Sequence, residues 1–362
     1  MLFAAFRRQP FHLERMAASL NNPAWLEWVA GLMGGVSRQT HAATFAPDRF
    51  YCLLDELPLH LLAMPARKSF QRTLVQAPRL VLNPQCQLFH GDELPCELDL
   101  GRELLSGFAL EGTIAWVRDR RRGYMPFWLG PKFEPILREL NANAALPASV
   151  PAYVRSVLAT ANLLASEEEM GAQTELRTEA IAKAATQFGE TGYAPLRDLI
   201  HPFHIAALRR YYRYKIRTGA IALGDRQCSR RYAIHNDPVA RFFHHQISST
   251  LSEVVGQPLK PSYVYMASYL SGAALKKHTD REQCEFSVTL CLDYSPEPAL
   301  ATPWPIRLET PAGMVTVYQA LGDGLAYRGT RLPHYRGTLG EGETSTSIFF
   351  HYVAADFVGS LN

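Results

Sequence analysis

Cysteines and long apolar runs are both scarce in this sequence. Six cysteines are spread over 362 residues, and none of them forms a Cys-x-x-Cys pair. So few cysteines argue against a disulfide-stapled fold and against a cysteine-based zinc site. No segment reaches the about 18 consecutive apolar residues that a membrane-spanning helix needs, and no signal peptide is evident. We therefore expect a cytoplasmic protein with reduced thiols and no membrane partner.

A strong excess of charge of one sign is also missing. The chain has 37 basic and 34 acidic residues, which leaves a net charge of +3. A nucleic-acid-binding protein normally carries a larger basic footprint, so no nucleic-acid partner is expected. The mixture of arginines and tyrosines over residues 209–217 is accordingly interpreted as a solvated helix face. The run Arg118–Gly123 is likewise interpreted as a solvated turn.

The 362 residues exceed the usual size of one hydrophobic core, so more than one domain is expected. Residues 1–150, with a helix over 12–35, are predicted to form a mixed α/β domain. Residues 151–189 are rich in Ala, Glu and Leu and predict a helical connector. From residue 190 onward short segments separated by Gly and Pro turns predict flanking helices and then a β-sandwich or jelly roll, an α+β fold class overall. The predicted strands are 261–270, 274–280, 284–294, 304–309, 314–319, 323–328, 332–336 and 344–353.

A histidine and an aspartate are spaced for a metal site in one of these strands. His278 and Asp280 are two positions apart, and on a strand such residues point to the same face. His334, on a later strand of the same sheet structure, is a third candidate ligand. Two histidines and one carboxylate leave positions of an octahedron open, the arrangement found in non-haem Fe(II) oxygenases.

Other histidines were weighed against these three. His235 and Asp237 repeat the same spacing, but Pro238 follows directly, so Asp237 is interpreted as a helix N-cap. Four further histidines lie on or beside predicted helices and are interpreted as solvated or core residues; they are His201, His204, His244 and His245. His351, on the last strand, is expected to line the cavity without binding the metal.

The order of these motifs resembles the Fe(II)- and 2-oxoglutarate-dependent dioxygenases, on the prolyl-hydroxylase-like side. The resemblance covers about residues 190–362. It rests on SYLSGAALKKHTDREQCEFSVTLCLDYS, on WPIRLET, on GDGLAYRGTRLPHYRG and on TSTSIFFHYV. Gly322-Asp323 matches the Gly-Asp that opens the strand before the distal histidine in that family. The resemblance implies a double-stranded β-helix, a jelly-roll or cupin-like barrel, with flanking helices.

The resemblance also implies an activity. Fe(II) would be held by His278, Asp280 and His334 as the catalytic centre, with 2-oxoglutarate and O2 as cosubstrates and ascorbate as an optional reductant. Succinate and CO2 would be released as an unactivated C–H bond is hydroxylated. The presence of the Asp280 carboxylate favours oxygenation over halogenation. The substrate would be an amino acid, a peptide or a small metabolite.

One part of the family pattern is absent. An Arg or Lys commonly follows the distal histidine by about ten residues and binds the far carboxylate of 2-oxoglutarate, but residues 343–347 carry no base. Arg336 is the first substitute, because it shares a strand face with His334. Ser345 and Tyr269 are expected to add hydroxyl contacts, and Tyr269 matches a tyrosine of the prolyl-hydroxylase-like members. Weaker candidates are Arg331, Lys276 and Lys277.

Two alternatives remain open at the level of the sequence. The missing base is compatible with a cupin-like metalloenzyme that does not use 2-oxoglutarate. An inactive barrel would instead make the chain a non-enzymatic binding protein, with recognition carried by residues 1–189.

Overall fold

The computed structural model describes residues 45–56, 80–91, 93–96, 98, 102–143, 146, 150–165 and 167–362. The helix predicted over residues 12–35 lies outside these ranges. The helices are α1 (Glu134–Asn143), α2 (Ala152–Thr160), α3 (Glu167–Thr191), α4 (Pro202–Arg217), α5 (Pro238–Gln246) and α6 (Ser248–Val255). The strands are β1 (Val81–Leu82), β2 (Cys86–His90), β3 (Thr113–Asp119), β4 (Gly123–Leu129), β5 (Leu164–Ala165), β6 (Tyr193–Leu196), β7 (Arg231–His235), β8 (Leu259–Tyr269), β9 (Leu275–His278), β10 (Phe286–Ser295), β11 (Ile306–Thr310), β12 (Gly313–Val317), β13 (Gly324–Arg328), β14 (His334–Arg336) and β15 (Thr344–Ala354).

Two antiparallel sheets dominate the second half of the chain. A six-stranded sheet has the order β6-β13-β10-β15-β8-β7, and a four-stranded sheet has the order β12-β11-β14-β9. Consecutive strands often belong to different sheets, so the chain crosses between them repeatedly. Each of the eight strands predicted after residue 260 is present, with bounds that differ by a few residues. The helices predicted for the connector are present as α2 and α3.

The two faces of the six-stranded sheet contact different parts of the protein. On β8, Val264 and Met266 belong to the large core that also contains residues of the helices. The alternate residues Ala267 and Tyr269 belong to a separate buried cluster with Trp304 and Leu339. This division follows from the two-residue period of a strand, which sends neighbouring side chains to opposite faces. The second face is the one that turns toward the candidate metal ligands.

The large core extends across the predicted boundary near residue 190. Phe50 is fully buried, and its ring lies 5.7 Å from that of Phe243 and 6.0 Å from that of Trp128. His204 stacks on the same ring at 6.4 Å. Residues from both sides of the boundary are thus packed in one continuous apolar cluster. The division into domains stays a prediction, and the two predicted parts share this apolar core.

The two basic segments are only partly solvated: Arg118, Arg120, Arg213 and Arg217 are exposed as expected, but other arginines of the same segments are buried. Arg209 on α4 is only 5% exposed and binds Asp293 and Glu297. Arg122, in the turn between β3 and β4, is 5% exposed and its Nε donates to the carbonyl of Asp198. Charge runs usually lie on the surface, but these arginines reach carboxylates and carbonyls that come from distant parts of the chain. Only the tertiary structure brings those partners within reach.

The interpretation of Asp237 as an N-cap is confirmed. Its carboxylate accepts hydrogen bonds from the backbone N–H groups of Val239 and Ala240 at the start of α5. It also accepts from Lys215 Nζ at 2.8 Å, and it is 2% exposed. A carboxylate committed to so many donors is a structural anchor rather than a metal ligand.

All six cysteines are free, as the sequence predicts. In the part of the chain that the structure describes, no helix is both long enough and apolar enough to cross a membrane.

Candidate metal centre

Two paired strands and the turn that follows one of them position the candidate ligands. In the four-stranded sheet β9 pairs with β14, and His278 and His334 are direct cross-strand partners. Asp280 lies just beyond the end of β9, where its backbone N–H donates to the carbonyl of Gly329 at 2.9 Å. This bond turns the chain back toward His334 after the strand ends. The spacing predicted from the sequence is therefore realised by one cross-strand pair and one anchored turn.

The side chains of these residues converge. Asp280 Oδ1 is 3.6 Å from His278 Nε2 and 3.6 Å from His334 Nε2. One ligand atom from each residue lies within 4.8 Å of the others. Ligand atoms at neighbouring positions of a metal with bonds of about 2.1 Å are about 3 Å apart. The two 3.6 Å distances would therefore need to shorten by only about 0.6 Å for the three atoms to bind one metal ion. The three residues thus fit a metal held on one face, with the opposite positions open.

Backbone carbonyls fix the orientation of both imidazoles. His278 Nδ1 is 2.8 Å from the carbonyl of Lys276, and His334 Nδ1 is 3.0 Å from the carbonyl of Leu332. A carbonyl only accepts, so each Nδ1 carries the proton and donates it. Each Nε2 then keeps a lone pair directed at Asp280. Metal-binding histidines commonly have such a partner on the second ring nitrogen, because it sets the tautomer and the ring orientation.

Burial and charge set the protonation of the three groups. Burial lowers the pKa of His334, which keeps this imidazole neutral. The contact with Asp280 raises the pKa of His278 above its usual 6.5, against the effect of burial. Burial alone would raise the pKa of Asp280, but His278, His334 and His351 outweigh it and lower that pKa. Asp280 is thus an anion ready to bind a cation.

The exposure of the ligands shows where the centre opens. The His334 side chain is 3% exposed and that of Asp280 is 12% exposed, whereas that of His278 is 34% exposed. The centre is therefore reached from the side of His278.

The weaker candidates for binding the cosubstrate lie on the surface. Lys276 and Lys277 are exposed, and Lys277 donates to Glu309 at 2.7 Å. Arg331 is also exposed.

We expect the affinity of the protein for Fe(II) to fall as the pH drops below about 7. A metal binds the neutral imidazole, so a proton on His278 competes with it, and the raised pKa means that this competition begins above 6.5. Anaerobic Fe(II) titrations across the range from about pH 6 to about pH 8 measure this dependence. An affinity that does not change over that range would contradict the assignment of His278 as a ligand.

Three further polar residues surround Asp280, and of these only His351 was singled out from the sequence, as a residue that lines the cavity. Ser287 Oγ donates to Asp280 Oδ2 at 3.0 Å and lies 2.9 Å from His351 Nδ1. The Tyr327 hydroxyl lies 3.5 Å from His334 Nε2, and burial keeps the pKa of this tyrosine well above its usual value. The sequence places all three on predicted strands, but which face they occupy depends on the pairing register. His351 lines the centre, as expected, and its interaction with Ser287 is the new feature.

The predicted cosubstrate residues lie together at the other end of the same face. Tyr269 on β8 and Ser345 on β15 are direct cross-strand partners. Arg336 on β14 is 4% exposed, and its guanidinium lies 5.0 Å from the ring of Trp304. The ring of Tyr269 lies 5.1 Å from that of Trp304. The indole of Trp304 therefore lies close to both Arg336 and Tyr269.

Two arginines lie near this end, and their partners differ. Arg336 donates to the carbonyl of Trp304 at 2.7 Å and to Gln319 Oε1 at 3.0 Å, both of which are neutral acceptors. Arg231, which the sequence did not single out, donates to Asp225 at 2.6 Å and to the Tyr269 hydroxyl at 3.2 Å. Arg231 is thus neutralised by a carboxylate. Among the described residues, no carboxylate forms an ion pair with Arg336.

Three of the four histidines on or beside the helices are core residues, and the fourth, His245, is half-buried. Their Nε2 atoms lie 2.8 Å from backbone carbonyls in three cases, which are His201 with Thr160, His204 with Pro126 and His244 with His351. Burial lowers the pKa of His204 to about 4. A neutral imidazole that donates to a carbonyl in an apolar core has a structural role, so this interpretation is confirmed for these three.

No protein-family model and no curated protein matches this chain. Solved structures match about half of it. SnoN, a non-heme alpha-ketoglutarate-dependent epimerase from nogalamycin biosynthesis, is 14% identical, with a TM-score of 0.42 over 49% of this chain and 84% of its own. A Pseudomonas putida prolyl-4-hydroxylase is 14% identical, with a TM-score of 0.41 over 48% of this chain and 100% of its own.

HygX from Streptomyces hygroscopicus, solved with nickel, 2-oxoglutarate and hygromycin B, is 14% identical, with a TM-score of 0.39 over 48% of this chain and 88% of its own. Another match is an oxidoreductase of the 2OG-Fe(II) oxygenase family from Burkholderia pseudomallei, 12% identical, with a TM-score of 0.39 over 48% of this chain and 89% of its own.

Proposed function

We propose that this chain is a non-haem Fe(II)- and 2-oxoglutarate-dependent dioxygenase that hydroxylates an unactivated C–H bond. The convergence of His278, Asp280 and His334 is the observation that carries the proposal. A closed four-ligand site would suit structural zinc, whereas three ligands on one face leave room for cosubstrates. The proposal includes a double-stranded β-helix formed by the six- and four-stranded sheets, with the site between them.

The protein's own residues supply geometry and charge to this chemistry. Each imidazole donates its Nδ1–H to a backbone carbonyl, which leaves the Nε2 lone pair free to bind a metal. Asp280 supplies the negative charge. A bound iron with 2-oxoglutarate and O2 supplies the oxidising power, and ascorbate serves as an optional reductant. Burial of His334 and Tyr327 limits the access of water on that side.

Arg336 supports the choice of 2-oxoglutarate as cosubstrate. A fully buried guanidinium costs free energy unless an anion or strong acceptors compensate it. Its present acceptors are neutral, and the far carboxylate of 2-oxoglutarate would supply the missing charge. His334 and Arg336 are one strand repeat apart, about 6.6 Å, which suits a five-carbon diacid lying between them. Tyr269 and Ser345 are proposed to add hydroxyl contacts to the same carboxylate.

The substrate is proposed to be an amino acid, a peptide or another small metabolite. The open side at His278 is where it would enter. A cytoplasmic location is part of the proposal and is compatible with the six free cysteines. Comparing metabolites and peptides from wild-type cells with those from cells carrying His278→Ala would identify what is oxidised.

The decisive experiment uses the full-length protein. We expect it to bind Fe(II) and then 2-oxoglutarate under anaerobic conditions, and to release succinate slowly when O2 and ascorbate are added without substrate. Metal binding without 2-oxoglutarate binding would overturn the proposal in favour of a cupin-like metalloenzyme. Binding of neither would leave a non-enzymatic binding protein.

A further inference from the structure

The two oxygens of Asp280 have different surroundings. Oδ1 faces the imidazoles, 3.6 Å from the Nε2 atoms of both His278 and His334. Oδ2 faces the opposite way and accepts a hydrogen bond from Ser287 Oγ at 3.0 Å. A carboxylate binds a metal through one oxygen or through both. Whatever occupies Oδ2 therefore influences how many positions Asp280 takes on a metal.

The proton count of Ser287 shows the direction of its hydrogen bonds. A hydroxyl has one proton, and its acceptors here are Asp280 Oδ2 and, at 3.3 Å, the carbonyl of Cys284. The charged and nearer acceptor forms the stronger bond. His351 Nδ1 lies 2.9 Å from the same hydroxyl and is then the donor to its oxygen. The chain of donors runs from His351 through Ser287 to Asp280.

Strand pairing and packing hold this chain of hydrogen bonds in place. Ser287 on β10 and His351 on β15 are direct cross-strand partners. The imidazole of His351 is 6% exposed and lies 4.6 Å from the ring of Tyr263. Two strands of a six-stranded sheet are far more rigid than a loop. The hydroxyl is therefore presented to Asp280 from a fixed position.

Gly329 closes the space around Oδ2 further. A Cβ atom at this position would lie 2.4 Å from Asp280 Oδ2 and 2.9 Å from Ser287 Oγ, which leaves no room for any side chain. The carbonyl of Gly329 accepts the backbone N–H of Asp280. The backbone of Gly329 and the hydroxyl of Ser287 together confine this oxygen.

We propose that Ser287 and His351 are positioning residues that hold Asp280 in one-oxygen coordination, so that Oδ2 does not take up a second position on the metal. The inference rests on the proposed function only in that His278, Asp280 and His334 bind a divalent metal. The benefit is an additional open position, which a chelating cosubstrate and O2 both need. Without the Ser287 hydroxyl, Oδ2 would lose its hydrogen-bond donor and turn toward the cation.

The test counts the water molecules bound to Mn(II) in the site, using the line broadening of its electron paramagnetic resonance in ¹⁷O-enriched water. We expect Ser287→Ala to bind one water fewer than the wild-type protein, because Oδ2 replaces it. Ser287→Thr restores a hydroxyl and is expected to restore the wild-type number. A second variant, His351→Leu, is expected to shift the number in the same direction as Ser287→Ala.

The matched control is Ser268→Ala. Ser268 is buried on the same sheet, and its hydroxyl accepts a hydrogen bond from Thr346 at 2.8 Å on the opposite face. This variant loses a buried hydroxyl without touching Asp280, so it should keep the wild-type number of bound waters. If the loss of a buried hydroxyl merely loosened the sheet, the number of waters bound to Mn(II) would change in Ser268→Ala as well.

The outcomes separate this inference from the proposed function. Wild-type water numbers in both Ser287→Ala and His351→Leu would overturn the positioning role, even if 2-oxoglutarate binds. A lost water in Ser287→Ala without any binding of 2-oxoglutarate would support the positioning role and overturn the oxygenase. A wild-type protein that does not bind Mn(II) or Fe(II) would overturn both.

Discussion

Asp280→Ala is expected to lower the affinity for Fe(II) by more than about 100-fold, because even the partners of metal ligands typically change affinity by 10- to 100-fold. The variant loses the only negative charge among the three ligands and leaves two imidazoles, 4.4 Å apart between ring centroids, without their shared partner. Anaerobic titration calorimetry measures the loss directly. At a metal concentration 100 times the wild-type Kd, the free energy by which the metal stabilises the fold should fall from about 2.7 kcal/mol to less than about 0.5 kcal/mol.

The matched control for this experiment is His235→Ala. His235 belongs to the second His-x-Asp triplet, and the carboxylate of that triplet, Asp237, is committed to helix α5. We expect this variant to bind Fe(II) like the wild-type protein. Equal losses of affinity in both variants would mean that neither triplet acts as a specific metal site. A loss of Fe(II) affinity in His235→Ala alone would place the metal site at the second triplet and contradict the assignment of Asp280.

Arg336→Met is expected to weaken 2-oxoglutarate binding by about 30-fold or more while leaving Fe(II) affinity unchanged. Truncating one partner of a buried charge pair typically costs about 2–5 kcal/mol of binding free energy, which corresponds to such a factor. Metal affinity is unaffected because His334, the neighbouring ligand, keeps its own carbonyl partner. Titration of 2-oxoglutarate into the protein loaded with Fe(II), without O2, measures the two affinities separately.

Arg331→Met removes the same charge from an exposed position and is the matched control. It should bind 2-oxoglutarate normally. Tyr269→Phe and Ser345→Ala each remove one neutral hydroxyl, so they are expected to have smaller effects, of about 1 kcal/mol. If Arg331→Met were as damaging as Arg336→Met, the buried subsite would be excluded and an exposed site at Arg331 would be favoured.

Local features of the sequence were sufficient to predict the parts of the structure that depend on neighbouring residues. The two-residue period identified the strand that carries His278, and Asp237 before Pro238 identified the start of α5. The distance between His278 and His334 in the chain does not reveal that they are cross-strand partners. The sequence identified the three candidate ligands from the two-residue spacing of His278 and Asp280 and from the order of the motifs, which resembles that of a known family.

The second group of residues around Asp280 could not be predicted in this way. Ser287 and His351 are 64 positions apart and become partners only through the register between β10 and β15. A shift of that register by one residue would place the two side chains on opposite faces of the sheet. The same reason explains the buried arginines, since Arg209 meets Asp293 only after α4 packs on the sheet.

The sequence by itself determined the residue types of the centre, the spacing of His278 and Asp280 and the strand-rich character of the second half of the chain. Only the tertiary structure decided which oxygen of Asp280 faces the histidines, and that Arg336 rather than Arg231 lacks a carboxylate partner among the described residues. The physical reason is that strand periodicity is a local property of the backbone, whereas hydrogen bonds and charge neutralisation depend on groups that come together only when distant strands pair.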